Sequence, residues 1–255
     1  MLDTFQEQGY AVFPDFLGKE EIETLKVAVD EHASTRPQRN AYESNEIGAL
    51  TWHPRALEQV DKVMGGQRYV FHHIHAARHD AGTRGVAWHQ DYEQYPQTNR
   101  SHLMVHVFFY LNGLNGTIGD LLLVPGSQDH AVESNALTFL GDSDLPGSIT
   151  VDDVSPGSML IVHSGMWHAR RAKPGGEGSP RFFIDMSFCQ SGVKWPSYGR
   201  GDGMLADLRA RHEADGGTRP WLFDEGQFFD STGARKQAQK LQGSVLLDLP
   251  QWQNS

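Results

Sequence analysis

Hydrophobic and polar residues alternate with a period near two along most of the chain between residues 69 and 188. Residues two apart on an extended backbone lie on the same face, so this alternation predicts β-strands. The eight predicted segments, separated by Gly, Pro, Asn and Asp clusters, are Tyr69–Ala77, Gly85–Asp91, Leu103–Asn112, Asp120–Val124, Gly147–Val151, Ser158–His163, Met166–Arg171 and Arg181–Phe188. No helix-length apolar pattern interrupts them, which argues against a parallel βαβ sheet. We predict a mainly β fold with flanking α-helices, a double-stranded β-helix (jelly roll, cupin-like).

Helical periodicity precedes these strands. Ile22, Leu25 and Val29 fall on one face of a helix, and Pro54 is suited to the first turn of another. The polar and irregular segment Ser34–Gly48 between them is predicted to be a loop.

The 255 residues are predicted to form one domain with three parts. Residues 1–66 would be a mainly helical N-terminal cover, residues 67–190 the β-roll core, and residues 191–255 a C-terminal cover. The C-terminal cover is predicted to contain two helices and a strand, at Met204–Arg211, Thr232–Leu241 and Val245–Leu249. This segment carries no recognisable catalytic motif. We therefore expect it to cover the roll or to form an oligomer contact rather than to act as a lid over the active site.

Composition limits the classes of partner. The 22 basic and 32 acidic residues give a net charge of −10, and no basic patch stands out, so a nucleic-acid partner is not expected. No apolar run approaches the ~20 residues of a membrane helix, and the N-terminus lacks the pattern of a signal peptide. Cys189 is the only cysteine, which suits a reducing compartment. A cytoplasmic protein with a small-molecule substrate is predicted, while its oligomeric state stays open.

One stretch carries the candidate chemistry. In Trp88-His89-Gln90-Asp91, an extended backbone would place the His89 imidazole and the Asp91 carboxylate on one face. A second histidine would complete the two-histidine, one-carboxylate set typical of non-haem Fe(II) oxygenases. His168 and His163 both compete for this third position. Because the chain has 13 histidines, and a lone histidine in a strand is more often a core residue, spacing alone does not choose.

Four motifs in order carry a resemblance to a known family. They are His89-Gln90-Asp91, Pro125-Gly126-Ser127, Gly157-Ser158-Met159-Leu160 leading into Trp167-His168, and Arg181. This set resembles the phytanoyl-CoA dioxygenase-like family of Fe(II)/2-oxoglutarate oxygenases, over about residues 5–188. The resemblance implies a β-roll that holds iron at one end.

The resemblance also implies the cofactors and their ligands. Fe(II) would be bound by His89, Asp91 and His168, the last of these favoured over His163. The cosubstrates would be 2-oxoglutarate and dioxygen, with Arg181 binding the far carboxylate of 2-oxoglutarate, since a guanidinium binds a carboxylate at two points. Gln90 and Arg170 are added as candidate cofactor contacts; at the position of Arg170 the family commonly has a small polar residue.

The reaction implied is hydroxylation of an unactivated C–H bond of a small molecule, with release of succinate and carbon dioxide. Desaturation and ring formation use the same chemistry and stay open. Two alternatives from other classes are a cupin-like metal- or ligand-binding protein without turnover, and a zinc hydrolase or lyase with the same three ligands.

Candidate substrate contacts come from strand alternation. Asp185 shares a face with Arg181, and His73 shares a face with His75, so all of them are expected to point into the roll. A carboxylate there favours a polar or cationic substrate. The open alternative is that Asp185 pairs with an internal basic group such as Arg170 or a histidine.

Overall fold

Helices flank two antiparallel β-sheets in the computed structural model. It describes residues 2–35, 40–92, 101–130, 132, 136–173, 180–197, 203–231 and 233. The helices are α1 (Leu2–Gln8), α2 (Lys19–Thr35), α3 (Asn45–Ala49), α4 (Pro54–Val63) and α5 (Met204–Ala214). The strands are β1 (Tyr10–Phe13), β2 (Tyr69–His79), β3 (Val86–His89), β4 (Met104–Tyr110), β5 (Leu121–Leu123), β6 (Ile149–Val151), β7 (Ser158–His163), β8 (His168–Arg170), β9 (Arg181–Gln190), β10 (Trp195–Pro196) and β11 (Phe228–Phe229).

The larger sheet has five strands in the order β1-β7-β4-β9-β2, all paired antiparallel. Its strands alternate as predicted: in β9, Ile184 and Met186 pack into the core formed with the helices, while Arg181 and Asp185 fall on the other face. That other face lies inside the roll. Leu25, on the predicted apolar face of α2, is buried.

The smaller sheet has four strands in the order β3-β8-β5-β6. A second apolar cluster between the two sheets contains Phe108, Tyr110, Leu160 and Val162 from the larger sheet and Leu123 from the smaller one. The predicted mainly β class with flanking helices is therefore confirmed. Each of the eight predicted core strands has a counterpart, and Ser158–His163 has the predicted bounds.

The loop predicted over residues 34–48 is wrong in part. The chain there contains a 3₁₀ turn at Ala41–Glu43 and begins α3 at Asn45. Ser44 caps α3, because its hydroxyl accepts a hydrogen bond from the Ile47 backbone N–H at 3.3 Å.

The C-terminal predictions are tested only as far as the described residues reach. The helix predicted at 204–211 exists and is longer. The helix predicted at 232–241 and the strand predicted at 245–249 lie outside the described residues, apart from residue 233. The three-part division of the chain stays a prediction. Over the described ranges, no helix is both long and apolar enough to cross a membrane.

Candidate active site

Two neighbouring strands of the smaller sheet bring two histidines together. His89 ends β3 and His168 begins β8, and the two are register partners with ring centroids 4.1 Å apart. Asp91 follows two residues after His89, where its backbone N–H donates to the Ser164 carbonyl at 2.8 Å. That hydrogen bond fixes the carboxylate beside both imidazoles.

The donor atoms of these three residues converge on one point. His168 Nε2 lies 3.1 Å from Asp91 Oδ2, and His89 Nε2 lies 3.6 Å from Asp91 Oδ1. A backbone hydrogen bond on the opposite ring nitrogen orients each imidazole. Nδ1 of His89 lies 2.7 Å from the carbonyl oxygen of Ala87, and Nδ1 of His168 lies 3.1 Å from that of Met166. A carbonyl only accepts, so each Nδ1 donates its hydrogen and each Nε2 is turned to the carboxylate. Together, the two nitrogens and a carboxylate oxygen lie within 4.8 Å of one another, which fits a divalent metal ion.

The charges of these three side chains also fit a bound divalent metal ion. Burial, and then the neighbouring charge of His168, lower the pKa of His89 to about 4, which keeps this imidazole neutral and able to bind metal. Burial alone would raise the pKa of Asp91, but the adjacent histidines, His168 first, hold it well below its ordinary range. Burial alone would lower the pKa of His168, but the neighbouring Asp91 carboxylate has the larger effect and raises this pKa. A divalent metal ion at this point would supply positive charge beside the Asp91 carboxylate.

A second feature of the roll is a pair of guanidinium groups. Arg181 begins β9 and is 2 % exposed. Its Nη1 donates to Nδ1 of His79 at 3.1 Å, and Nη1 of Arg170 donates to the same nitrogen at 3.2 Å. The Arg181 guanidinium also lies over the rings of Phe183, at 4.6 Å, and Tyr110, at 5.1 Å. Two cations thus meet at one neutral acceptor.

In the part of the chain that the structure describes, no carboxylate forms an ion pair with Arg181 within 4.0 Å, and the buried Asp120 acts on its charge only from a longer distance. The contacts of Arg181 there are His79, Phe183 and Tyr110, and burial raises the pKa of Tyr110, which keeps the phenol neutral. The buried Nε of Arg181 has no hydrogen-bond partner among the described residues. Burial lowers the pKa of Arg181, and burial and then Arg181 lower the pKa of Arg170 to about 10. A buried cation is costly unless an anion pairs with it, so this end of the roll fits a bound carboxylate.

The candidate substrate residues form a third cluster beside the metal site. Asp185 Oδ1 accepts a hydrogen bond from Nδ1 of His106 at 2.8 Å, and Asp185 Oδ2 lies 3.7 Å from Nε2 of His73. The other side of His106 faces the metal site, since its Nε2 lies 3.8 Å from Asp91 Oδ2. His75 is the register partner of Asp185 on β2 and is half-buried. The internal basic partner considered for Asp185 is therefore a histidine and not Arg170.

Two other candidates lie apart from these clusters. Because His89 and Asp91 share a face, Gln90 between them turns away, and its amide donates to the Val132 carbonyl at 2.9 Å. His163 accepts from the Gly165 backbone N–H at 2.9 Å and stacks on Tyr92. Neither joins the donor atoms of His89, although cofactor binding by Gln90 stays a prediction.

Sequence reasoning missed three residues that shape the site: His79, His106 and Tyr110. His79 lies on the same face of β2 as His73, but the predicted strand stopped two residues short of it. His106 and Tyr110 share a face of the predicted strand Leu103–Asn112 with Phe108. Strand alternation was the signal that could have found all three.

Several solved structures share this architecture. HygX from Streptomyces hygroscopicus, solved with nickel, 2-oxoglutarate and hygromycin B bound, is 18% identical, with a TM-score of 0.63 over 82% of this chain and 92% of that one. The non-haem α-ketoglutarate-dependent carbocyclase SnoK from nogalamycin biosynthesis is 17% identical, with a TM-score of 0.63 over 81% and 88%. At these identities the likeness shows the fold, and it confirms the predicted jelly roll.

A curated relative is closer in sequence. The ectoine dioxygenase of Halomonas elongata is 30% identical over 49% of this chain and 44% of its own length. The matched region is thus less than half of that relative, so its activity does not transfer directly.

Family assignment rests on a longer match. The family model of phytanoyl-CoA dioxygenase (PhyH) matches residues 5–173, which is more than half of the chain and includes His89, Asp91 and His168. The resemblance noted from the four ordered motifs is confirmed, and the predicted iron and 2-oxoglutarate chemistry is confirmed at the level of the family. The chain belongs to the phytanoyl-CoA dioxygenase family.

Proposed function

We propose that this protein is an Fe(II)/2-oxoglutarate-dependent dioxygenase that hydroxylates an unactivated C–H bond of a small molecule, releasing succinate and carbon dioxide. The observation that carries this proposal is the pairing of two sites inside one roll. The three convergent ligand atoms of His89, Asp91 and His168 suit a divalent metal, and the buried Arg181 suits a dicarboxylate cosubstrate.

The metal would be held by His89, Asp91 and His168. Their two Nδ1 hydrogen bonds to backbone carbonyls hold the rings in one tautomer and one orientation before any ion binds. With 2-oxoglutarate and dioxygen, the bound iron supplies the oxidant that attacks a C–H bond. Three protein ligands leave room for the cosubstrates, as in other two-histidine, one-carboxylate sites.

The cosubstrate would be held at its far end by Arg181, with Arg170 adding a second positive charge. His79 keeps both guanidinium groups in place by accepting from each. Tyr110 and Phe183 pack against the Arg181 guanidinium, so little water reaches it, and an ion pair there gains strength from the low dielectric.

The walls of the roll would keep water from the reacting groups. Phe108 lies 6.4 Å from His168, centroid to centroid, and packs in the apolar cluster with Leu160, Val162 and Met166. Excluding water strengthens electrostatic contacts and limits side reactions of a reactive oxidant.

Known relatives support a small-molecule substrate. HygX has been solved with hygromycin B, and the curated relative is an ectoine dioxygenase. These compounds differ in size and structure, so they support the class of substrate and leave its identity to experiment.

The proposal is tested by the metal and oxygen requirements of 2-oxoglutarate decarboxylation. We expect the purified protein, loaded with Fe(II), to convert 2-oxoglutarate to succinate in the presence of dioxygen. The rate should be slow without substrate and rise when a metabolite extract is added. Loading with Zn(II) should abolish succinate formation, because zinc has no redox chemistry.

Two outcomes would contradict the proposal and identify an alternative. Oxygen-independent turnover of an added compound by the zinc-loaded protein would indicate a hydrolase or lyase. Metal binding without any succinate under either condition would indicate a binding protein.

A further inference from the structure

Asp185 is a carboxylate inside the roll that the proposed chemistry does not use. It lies at the middle of β9 and its side chain is 13 % exposed, so it borders the interior without being sealed in the core. Its Oδ1 is occupied by the hydrogen bond from His106. Among the described residues, Oδ2 is within ion-pair distance of His73 Nε2, at 3.7 Å, which is a weaker contact than the hydrogen bond to Oδ1. One oxygen of a buried carboxylate therefore still faces the interior.

A hydrogen-bond network holds His73 in place opposite that oxygen. His72 Nε2 donates to the Pro196 carbonyl at 3.0 Å, so its Nδ1 is left as an acceptor. Ser187 Oγ lies 3.3 Å from this nitrogen and 2.8 Å from Nδ1 of His73. The hydroxyl can donate to His72 and accept from His73, which leaves His73 Nε2 directed at Asp185.

The carboxylate is ionised. Burial alone would raise the pKa of Asp185, but His106 and then His73 outweigh burial and lower it well below its ordinary range. Asp91 would be balanced by the metal, and Arg181 by the far carboxylate of 2-oxoglutarate. Of the two carboxylates Asp91 and Asp185, Asp185 is then the one with neither a metal nor an arginine as its counter-ion.

The position of Asp185 separates it from the cosubstrate and places it near the metal. Arg181 lies four residues earlier on the same face of β9, roughly 14 Å away along the strand at about 3.4 Å per residue. Asp91 is separated from Asp185 only by the imidazole of His106. A group bound at Asp185 would thus lie beside the metal site and apart from the Arg181 guanidinium.

We propose that Asp185 Oδ2 binds a positively charged N–H donor of the substrate, an ammonium, amidinium or guanidinium group. His73 lines the same contact and His75 faces it from β2. The substrate is then a small cationic or zwitterionic molecule whose charged group lies close to the hydroxylated carbon. This inference rests on the proposed function, because it takes the metal site as the reaction centre.

A matched pair of probes tests the charge preference on the unmodified protein. The chain is loaded with Fe(II) and 2-oxoglutarate without oxygen, and binding of acetamidinium and of its neutral isostere acetamide is measured by saturation-transfer NMR. We expect acetamidinium to bind with a dissociation constant on the order of 10 mM, and acetamide to bind at least about tenfold more weakly.

Variants locate the contact. Asp185→Asn keeps the shape of the side chain and should weaken acetamidinium at least about tenfold, as expected for loss of a charged hydrogen bond. Asp144→Asn is the matched control: it removes the same charge from an exposed ion pair with Arg171 and should leave binding unchanged. The visible absorption band of the iron–2-oxoglutarate complex should persist in Asp185→Asn, which a role limited to supporting Asp91 would not predict.

Other outcomes overturn the inference and separate it from the proposed function. Equal binding of the two probes, no binding of acetamidinium, or unchanged binding in Asp185→Asn would each reject the substrate contact. A second metal equivalent that Asp185→Asn removes would make His73, His106 and Asp185 a metal site instead. Absence of the absorption band in the unmodified protein would reject the proposed function itself, and this inference with it.

Discussion

Replacing His168 with alanine is expected to abolish 2-oxoglutarate turnover. The residue supplies one of the three donor atoms, and its Nε2 is the nitrogen nearest to the Asp91 carboxylate, at 3.1 Å. Structural zinc sites bind with about 10–16 kcal/mol over four ligands, so one ligand contributes roughly 3 kcal/mol. We expect iron affinity to fall by roughly two orders of magnitude. Both iron binding and succinate formation should be measured, with a thermal unfolding scan to show that the variant folds.

His163→Gln is the matched control for this variant. His163 also lies at the end of a strand of the roll, but its Nδ1 accepts from Gly165 and its ring stacks on Tyr92. Glutamine keeps an acceptor at this position, so iron affinity should stay within a few-fold of the unmodified protein. If His163→Gln lost iron binding and His168→Ala kept it, the third ligand would be His163.

Replacing Arg181 with glutamine should raise KM for 2-oxoglutarate and leave iron affinity unchanged. Breaking a buried ion pair costs about 3–5 kcal/mol, which corresponds to roughly two to four orders of magnitude in binding. The effect should be large because Arg181 is 2 % exposed, so water cannot replace the lost charge. Titration of 2-oxoglutarate into the iron-loaded protein without oxygen measures the affinity directly.

Arg171→Gln separates this effect from a general loss of positive charge. Arg171 directly follows β8 of the smaller sheet and pairs with Asp144 at the surface, where ion pairs contribute little. Its replacement should leave KM for 2-oxoglutarate unchanged. An Arg181→Gln variant with unaltered KM would mean that the buried guanidinium serves packing and not the cosubstrate.

The sequence contained enough information for the strands and for the metal cluster. Alternation gave β7 its bounds, and the same period of two placed His89 and Asp91 on one face. The choice of His168 over His163 did not follow from alternation, because both lie near the ends of short strands; the family resemblance favoured it. The register of β3 and β8 then brings His168 opposite His89, a long-range pairing that no local pattern reports.

Contacts between distant strands were the part that sequence reasoning could not supply. Asp185 pairs with His106 because β9 lies beside β4, and that order is a property of the whole sheet. An irregularity in the pairing of β2 with β9, between Phe71 and His73, shifts the register at that end of the strand. His79 was missed because polar residues near the end of a strand weaken the pattern that marks its boundary.

The most direct test of the central claim is an anaerobic titration of the unmodified protein with Fe(II) and 2-oxoglutarate, followed by visible absorption. We expect a weak charge-transfer band that needs both additions and saturates at one iron and one 2-oxoglutarate per chain. We also expect a chelator to remove the band and fresh Fe(II) to restore it. Iron binding that gives no band at saturating 2-oxoglutarate would contradict the account, because the metal and anion sites would then not serve a common complex.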